Sequence, residues 1–566
     1  MKILANCLWK LKPALPEETG QNFPYPPLIS RLLYNRGITT IEAADLFLSP
    51  DKRLNHDPFL FPDMEMAVSR IYKALLAGEK IVVYGDFDAD GLTATAVLTT
   101  GIARLGGNVT PYIPHRITEG YGLKISALEK HRAEGVSLVI STDCGITAIP
   151  EIKRANKIGL DVIVTDHHTP LDELPPAYAI INPKMPCSTY PCKELAGVGV
   201  AYKLIQALYR NLGREDEAKD LLDLVAIGTV ADIVPILDEN RYLVKEGVKL
   251  LNAEPRPGLI EMAQLSRLHL GEIETESISW IMAPRLNAAG RLEHAMAGYK
   301  LLTATTISDS QELALWLENK NTERQQLTVR FVEKARAMLD TQFPPALLIF
   351  SDAECPQGIS GLVAGRLSDE YYRPSIVIKT NADSATGSCR SIPDFNIIQA
   401  LNHFAHLFSH FGGHAQAAGF TLPIENLDAF VQGISAYAEE ILSVMELKPF
   451  IDIDIDTDLS LLCPATLREL ERLAPFGEAN PKPVFLSRGL NITDYRSMGS
   501  NNEHLKLRIK HKGRFWDGVA FRQAKELSSF LQSPVDIVYN LELDKWCGTD
   551  TLRLKIIDMA PSGTKI

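Results

Sequence analysis

Apolar residues in this chain fall into short runs, with helical spacings between them. KIVVYG (80–85) is rich in β-branched residues and reads as a buried strand. Residues 91–107 carry apolar positions at helical spacing and end in glycines, so a helix is predicted there. NVTPYIP (108–114), SLVIST (137–142), DVIVTD (161–166) and YAIIN (178–182) are further strands. Strands alternating with helices predict βαβ units and a parallel sheet, which works at the carboxyl ends of its strands. From about 196 to 268 the pattern is mostly helical. Residues 307–340 keep helical spacing with many charges, and Ser308 with Gln311 fits a capping box. Phe343-Pro344-Pro345 stops this helix. About 33 residues at 1.5 Å each span roughly 50 Å, which suits a connector between two lobes. Two helices broken near Asn319–Asn321 fit the spacing as well. ALLIF (346–350) restarts the strands, and 346–445 reads as a second α/β segment. IDIDID (451–456) alternates strictly, as a strand does. Beyond 485, LNITDYRSM, HLKLRIKHKG, RFWDGVAF, VDIVYNLEL and TLRLKIIDMA follow closely and predict an all-β tail, a sandwich or a small barrel.

A length of 566 residues suggests three or four domains. Hydrophobic residues at 46% and charged ones at 23% describe a globular chain rather than a disordered one. The net charge of −12, from 58 basic and 70 acidic residues, taken alone argues against a nucleic-acid partner. The local pattern argues the other way. HLKLRIKHKGRFW (504–516) gathers Lys506, Arg508, Lys510, Lys512 and Arg514 beside Phe515 and Trp516, which suits single-stranded DNA on a β surface. The bland alternative is a polar strand face over core aromatics. Eight scattered cysteines fit a reducing compartment, and Cys187 with Cys192 lack a second pair for zinc. No apolar run reaches 18 residues and no secretory core follows Lys10 and Lys12, so a cytoplasmic protein without membrane association is expected.

The candidate chemistry sits where the predicted strands end. The first runs into Gly85-Asp86-Phe87-Asp88-Ala89-Asp90-Gly91. Carboxylates packed this closely repel one another, so burying them together calls for a cation. A solvated acidic turn is the simpler reading of an isolated DxD, but it fits poorly at the end of an apolar strand. The next strand ends at Asp143, and the one after it at Asp166-His167-His168. Asp232, in GTVADIVP (228–235), adds a carboxylate in an apolar context. Oxygen and imidazole ligands together suit manganese or magnesium.

GDFDADG, TDCG, TDHH and VADIVP resemble the four motifs of the DHH phosphoesterase superfamily, which is named for the triplet Asp166-His167-His168. APRLNAAGR (283–291), QGISGLVAGRL (357–367), GSCRS (387–391) and FGGHAQAAGF (411–420) resemble the later motifs of its RecJ exonucleases. The resemblance implies a parallel-sheet DHH catalytic domain with a helical insertion (51–305) after an N-terminal lead-in (1–50). A connecting helix (306–342), a DHHA1-type substrate-binding domain (343–447) and an OB-type domain (448–566) would follow. It implies a 5′→3′ exonuclease that releases 5′-mononucleotides from single-stranded DNA in recombination and repair. Asp88, Asp90, Asp143, His167 and Asp232 would hold two Mn2+ or Mg2+ ions, with Asp143 bridging them. Asp86 would be a ligand or lie just outside, Asp166 would orient its neighbours, and His168 would orient the site or assist the scissile phosphate. Arg116, Arg291, Ser388 and Arg390 would contact phosphate. Gly412, Gly413 and His414 would form a backbone nest with an imidazole facing the substrate. Lys506, Arg508, Lys510 and Trp516 would bind DNA. Expected partners are single-strand-binding protein and a RecQ-type helicase, with the enzyme a monomer. One departure is Cys355-Pro356-Gln357, where RecJ-like sequences often carry Trp-His. A phosphodiesterase of short oligoribonucleotides or cyclic dinucleotides is the second enzyme reading, although such chains are usually shorter. A replisome scaffold is the third, although it would be expected to have lost metal ligands.

Overall fold

The computed structural model describes residues 7–16, 23–339, 344–499, 501–527, 533–544 and 551–564. The chain forms two compact units. One is Asp45–Gln325 with Ala474–Pro481; the other holds the residues up to Ala44, Gln326–Leu473 and Lys482–Ile566.

The first unit is built on five parallel strands: β1 (Lys80–Tyr84), β2 (Asn108–Tyr112), β3 (Val136–Thr142), β4 (Asp161–Thr165) and β5 (Ala179–Ile181). Each lies within two residues of its predicted place. Their order across the sheet is β2-β1-β3-β4-β5. The chain leaves β1 to one side and returns on the other, so the topological switch lies between β1 and β3, where open α/β sheets bind ligands. Helix α1 (Ala89–Arg104) follows β1 and is buried over most of its length. It packs on α2 (Gly197–Arg210), where a Cβ on Gly101 would come within 2.5 Å of Ile205. Helix α3 (Leu222–Ala231) is apolar apart from Thr229 and Asp223, which is paired with Arg256, and is buried except at its C-terminus. Helix α4 is Ala283–Leu292. The distant segment Ala474–Pro481 joins this unit through buried Arg241. Its guanidinium lies over the Phe47 ring and donates to the carbonyls of Phe47, Ala474 and Pro475.

The charged helix predicted at 307–340 is continuous as α5 (Ile307–Met338), and the boundary between the units falls within it. The expected cap is replaced by its upstream neighbours. Thr306 Oγ1 accepts from the Asp309 N–H at 3.2 Å and donates to the Asp309 carboxylate at 2.7 Å. A cap must precede the first helical residue, and Ser308 is already inside the helix. Of the expected stop, Phe343 lies outside the described residues.

In the second unit a mixed sheet has the order β9-β10-β8-β7-β6. Its strands are β6 (Leu348–Ser351), β7 (Ser375–Thr380), β8 (Ser384–Arg390), β9 (His410–Gly413) and β10 (Ala417–Pro423). IDIDID divides into β11 (Phe450–Ile453) and β12 (Ile455–Asp456), which join different sheets. The buried Asp454 carboxylate between them takes the Val484 N–H and the Lys12 ammonium, each at 3.0 Å, and these bonds interrupt the alternation. The all-β tail comprises β13 (Phe485–Met498), β14 (His504–His511), β15 (Arg514–Ala520), β16 (Val535–Asp544) and β17 (Thr551–Pro561). Pairing of β13 with both β14 and β16 closes the ring β13-β14-β15-β17-β16. This is a five-stranded barrel, not a sandwich. The expected lead-in is divided between the units. Its strand Leu8–Leu11 pairs with β11, and Trp9 donates to buried Asp558 of β17 at 2.8 Å.

Candidate metal centre

Seven acidic and imidazole side chains follow the carboxyl ends of β1, β3 and β4 (Asp86, Asp88, Asp90, Asp143, Asp166, His167 and His168), and an eighth, Asp232, caps the C-terminus of α3. Asp88 is the N-cap of α1, and its Oδ1 accepts the N–H groups of Asp90 and Gly91 at 3.0 and 3.1 Å. Asp90 is the second residue of the helix, in its first turn, and is fully buried. Its two oxygens accept the first N–H groups of α2, Gly197 at 2.7 Å and Val198 at 2.9 Å. The positive end of the α2 dipole thus faces this carboxylate. Asp143 sits in the left-handed region (φ +58°), which an aspartate tolerates and which turns its side chain off β3. Gly197 allows the close approach, since a Cβ there would stand 2.8 Å from Asp143 Oδ1.

Asp166 accepts the backbone N–H groups of Ile146, His167 and His168 and bonds the His168 ring at 2.7 Å. Burial would raise this carboxyl, but the His168 hydrogen bond and the charge of both imidazoles hold it below the ordinary range. Its oxygens are already engaged, so it orients its two neighbours. His167 Nε2 lies 3.1 Å from Asp143 Oδ1, 3.6 Å from Asp232 Oδ2 and 4.0 Å from Asp90 Oδ2.

The charge balance here is unfavourable for protein groups alone. Burial first, and then neighbouring carboxylates, push Asp90 up to about 7, Asp232 up to about 9, and Asp86 and Asp143 well above the ordinary range. Burial and then the neighbouring His168 push the His167 ring down to about 3. Among the described residues, the buried Asp86 Oδ1 has no hydrogen-bond partner, and the buried Asp143 Oδ1 has the His167 ring beside it, at 3.1 Å. Buried carboxylate oxygens facing one another and an imidazole fit the ligand set of a cation. The ligand atoms of Asp90, His167 and Asp232 lie within 4.8 Å of one another, as do those of Asp86, Asp88 and Asp143, and those of Asp143, His167 and His168. Hard oxygen ligands with one imidazole suit Mn2+ or Mg2+.

Sequence reasoning missed several supporting residues. The Tyr121 hydroxyl donates to the Asp143 carbonyl at 3.0 Å and lies 3.2 Å from His168 Nδ1. Asn287 of α4 accepts the Ala89 N–H at 2.7 Å and so fixes the entry to α1. Tyr121 stands between two glycines in EGYG, and Asn287 stands within APRLNAAGR, so both were visible as motif members without a role.

The other expected site residues are distributed over both units. Arg116 lies with its guanidinium 4.7 Å from the Phe87 ring centre, and its charge reaches Asp86. Arg291 is in the last turn of α4. In the second unit, the Ser388 hydroxyl is 2.7 Å from that of Ser360, and Arg390 lies against Gly361. Gly412 pairs with Gly419, which pairs with Ser388, leaving a row across the sheet without side chains between Ser388 and the β9 edge. The expected backbone nest is instead a hairpin end, because the His414 N–H is spent on the Ala417 carbonyl at 2.8 Å. The His414 side chain is exposed. On the barrel, Lys506, Arg508 and Lys510 alternate with buried Leu505, Leu507 and Ile509 and face outward. Trp516 is a correction. It pairs with Ile509 and is buried in the barrel, because strand alternation turns it inward and turns Phe515 out. Phe515 stands between Arg508 and Lys510, at 4.9 and 5.9 Å from its ring centre.

The chain matches the DHH family N-terminal domain over residues 80–229, the DHHA1 domain over 345–440 and the RecJ OB domain over 453–558. It is 38% identical to the single-stranded-DNA-specific exonuclease RecJ of Bacillus subtilis, over 95% of this chain and 68% of that protein. It is 32% identical to the protein of the same name in Haemophilus influenzae, over 96% of this chain and 97% of that one. The crystal structure of RecJ in complex with Mn2+ from Thermus thermophilus superposes with a TM-score of 0.85 at 28% identity. That match covers 98% of this chain and 80% of the other.

Proposed function

We propose a mechanism from one premise: the chain belongs to the RecJ family of single-stranded-DNA-specific exonucleases, within the DHH group. It is a metal-dependent exonuclease whose substrate is single-stranded DNA. Our finer reading is that it digests from the 5′ end with two ions and releases 5′-mononucleotides, in recombination and repair. The observation that supports this best is that two of the three ligand trios, Asp86-Asp88-Asp143 and Asp90-His167-Asp232, share no member, while the third, Asp143-His167-His168, joins them. Asp143 Oδ1 also approaches His167, so it is the residue suited to serve both ions. Bound Mn2+ or Mg2+ would supply Lewis-acid neutralisation of the phosphate and a more acidic water for in-line attack.

The chain's own residues divide the remaining work. Asp88 holds the start of α1 with one oxygen and keeps the other for a cation. Burial would lower the His168 pKa, but its bond to Asp166 raises it, so the ring can present positive charge to the scissile phosphate. The Tyr121 hydroxyl lies 3.2 Å from the same ring nitrogen, Nδ1, that meets Asp166. Arg116 and Arg291 would take the terminal phosphate through forked donors. Ser388, Arg390 and the bare Gly412–Gly413 backbone with His414 would follow the sugar-phosphate chain. Lys506, Arg508 and Lys510, with Phe515 in place of Trp516, would hold the strand on the barrel. In this reading the enzyme is a cytoplasmic monomer that works with single-strand-binding protein and a RecQ-type helicase.

The test is digestion of oligonucleotides labelled at the 5′ or the 3′ end, with Mn2+, Mg2+ or EDTA. Labelled mononucleotide should leave the 5′-labelled strand at once, with either metal, and Asp143→Ala should abolish it. Early release from the 3′-labelled strand would refute the polarity, and full activity of Asp143→Ala would refute the ligand set.

A further inference from the structure

An apolar shelf begins one residue beyond the metal-ligating set. Asp232 ends α3 in right-handed helical geometry, and Ile233 then takes φ +62°. That is the position after a helix where glycine is usual, because a branched side chain is strained there. The chain places an isoleucine at this point and leaves it 69% exposed, so it bears backbone strain and an unsatisfied apolar surface together. Strain of this kind, held beside a reactive centre, is a reason to look for a function.

The facing wall has a second irregularity. Residues Ile278–Met282 form a π-helical turn, closed by the Ala283 N–H on the Ile278 carbonyl. Pro284 has no N–H to give to the Trp280 carbonyl, so the regular helical ladder cannot continue here. This turn carries Trp280, which is 76% exposed. Between Ile233 and Trp280 lies a cavity of about 300 Å³, lined also by Val230, Val234, Ile236 and Gly477, with Ser279 and Glu478 as its polar members. Asp232 is the more open member of its ligand trio, at 24% side-chain exposure against 8% or less for Asp90 and His167. Asp232 is thus the ligand of its trio most open to solvent, and the shelf starts at the next residue, Ile233.

Resting on the reading of this site as a nuclease of single strands, we propose that the Ile233–Trp280 shelf receives one unpaired base of the substrate next to the scissile phosphate. Ile233 directly follows the ligand Asp232, so an occupant of the shelf lies beside the residue that would meet the phosphate's metal, and the lining suits a base. An indole face and an aliphatic edge accept the π-face of any base, without reading its hydrogen-bonding edge. A duplex end cannot offer a base in this way, so the shelf also favours single strands over paired ones. Trp280 is on this reading a substrate-contacting residue that positions the phosphate over the ligands.

Two measurements test the proposal, using the full-length protein. In the first, oligonucleotides carrying one abasic nucleotide at successive positions from the 5′ end are digested and compared with the intact strand. Wild type should slow at one position. Trp280→Ala should raise KM on the intact strand roughly five- to hundred-fold, the range spanned by loss of one base–aromatic stack. It should also lose the abasic effect, while Trp280→Phe keeps both. In the second, a fluorescent 2-aminopurine at that position is titrated with protein in EDTA, so the result does not depend on chemistry. Wild type should quench it and Trp280→Ala should not. The same KM and abasic ratio in Trp280→Ala as in wild type, or no quenching by wild type at any position, would overturn the proposal and leave the shelf to a protein partner. Failure of wild type to digest any oligonucleotide, with quenching intact, would instead refute the nuclease reading and keep the base site.

Discussion

Replacing Asp232 with asparagine should stabilise the metal-free protein and weaken the stabilisation that a divalent cation brings. This carboxyl is three-quarters buried, and burial followed by repulsion from Asp90 and Asp88 moves its pKa from 3.8 to about 9. A carboxyl whose pKa rises on folding holds its proton more tightly in the folded state. Its contribution to stability is therefore complete below pH 3.8 and is lost as the pH climbs toward 9. From 3.8 to neutrality is about three pH units, each worth about 1.4 kcal/mol, which gives about 4 kcal/mol for a rigid, dry site. Partial exposure and relaxation of the site reduce this to about 2 kcal/mol. Asparagine has the same shape and carries no such cost, and Asp232 forms no hydrogen bond among the described contacts that the amide would break. In a unit of this size, about 2 kcal/mol corresponds to roughly 4–8 °C in Tm. The assay is thermal unfolding in EDTA between about pH 5 and pH 8. The variant should melt above wild type, by a gap that widens with pH. In saturating Mn2+ the order should reverse, because wild type gains ligand-linked stability and the variant gains less. A gap that does not change with pH, or a variant that melts below wild type in EDTA, would refute the argument that unneutralised carboxylates strain this site.

Other consequences follow from the same geometry. Gly197→Ala should weaken Mn2+ binding by at least about tenfold with the fold retained, because the added methyl stands 2.8 Å from Asp143 Oδ1; calorimetry beside circular dichroism checks it, and unchanged affinity would show that Asp143 is not a ligand. Mn2+ binding should release protons and tighten as the pH rises through the Asp90 and Asp232 values of about 7 and about 9; equal binding heats in buffers of different ionisation enthalpy would contradict it. Phe515→Ala should cost about 1–3 kcal/mol of single-strand binding and leave Tm in place. Trp516→Ala should instead cost about 3–5 kcal/mol of barrel stability, so anisotropy and melting curves together separate the two adjacent aromatics.

Much of the catalytic unit was legible because its signals are local. Buried parallel strands read as continuous β-branched runs, and a strand end followed by Asp-x-Asp-x-Asp announces its chemistry within five residues. The acids and histidines that follow the strands are therefore placed on one sheet edge by the sequence alone. What failed was decided by neighbours distant in sequence. IDIDID alternates perfectly, yet Asp454 is drawn inward by Lys12 and Val484, and the strand divides there. Trp516 and Phe515 are both aromatic beside a basic strand, and only the register with Ile509 selects which one meets solvent. The glycines of the Gly-Gly-His motif suggested a nest, but pairing with Gly419 and Ala418 uses that backbone as sheet.

The sequence by itself determined the parallel sheet, the long charged helix and the all-β tail, which follow from residue type and short-range spacing. It also put acids and imidazoles at the strand ends, while the choice of the six ligands came from the resemblance to the DHH motifs. Only the tertiary structure decided that the tail closes into a barrel, because closure is the pairing of β13 with β16 across some fifty residues. It alone divided the ligands into trios, since that depends on where α2 and α3 bring Gly197 and Asp232 against the sheet edge. It alone set a strained isoleucine opposite an exposed tryptophan beside the metal ligands. Backbone hydrogen bonding and hydrophobic periodicity act over a few residues and can be read along the chain. The electrostatic and packing terms that make a site act between segments that meet only on folding.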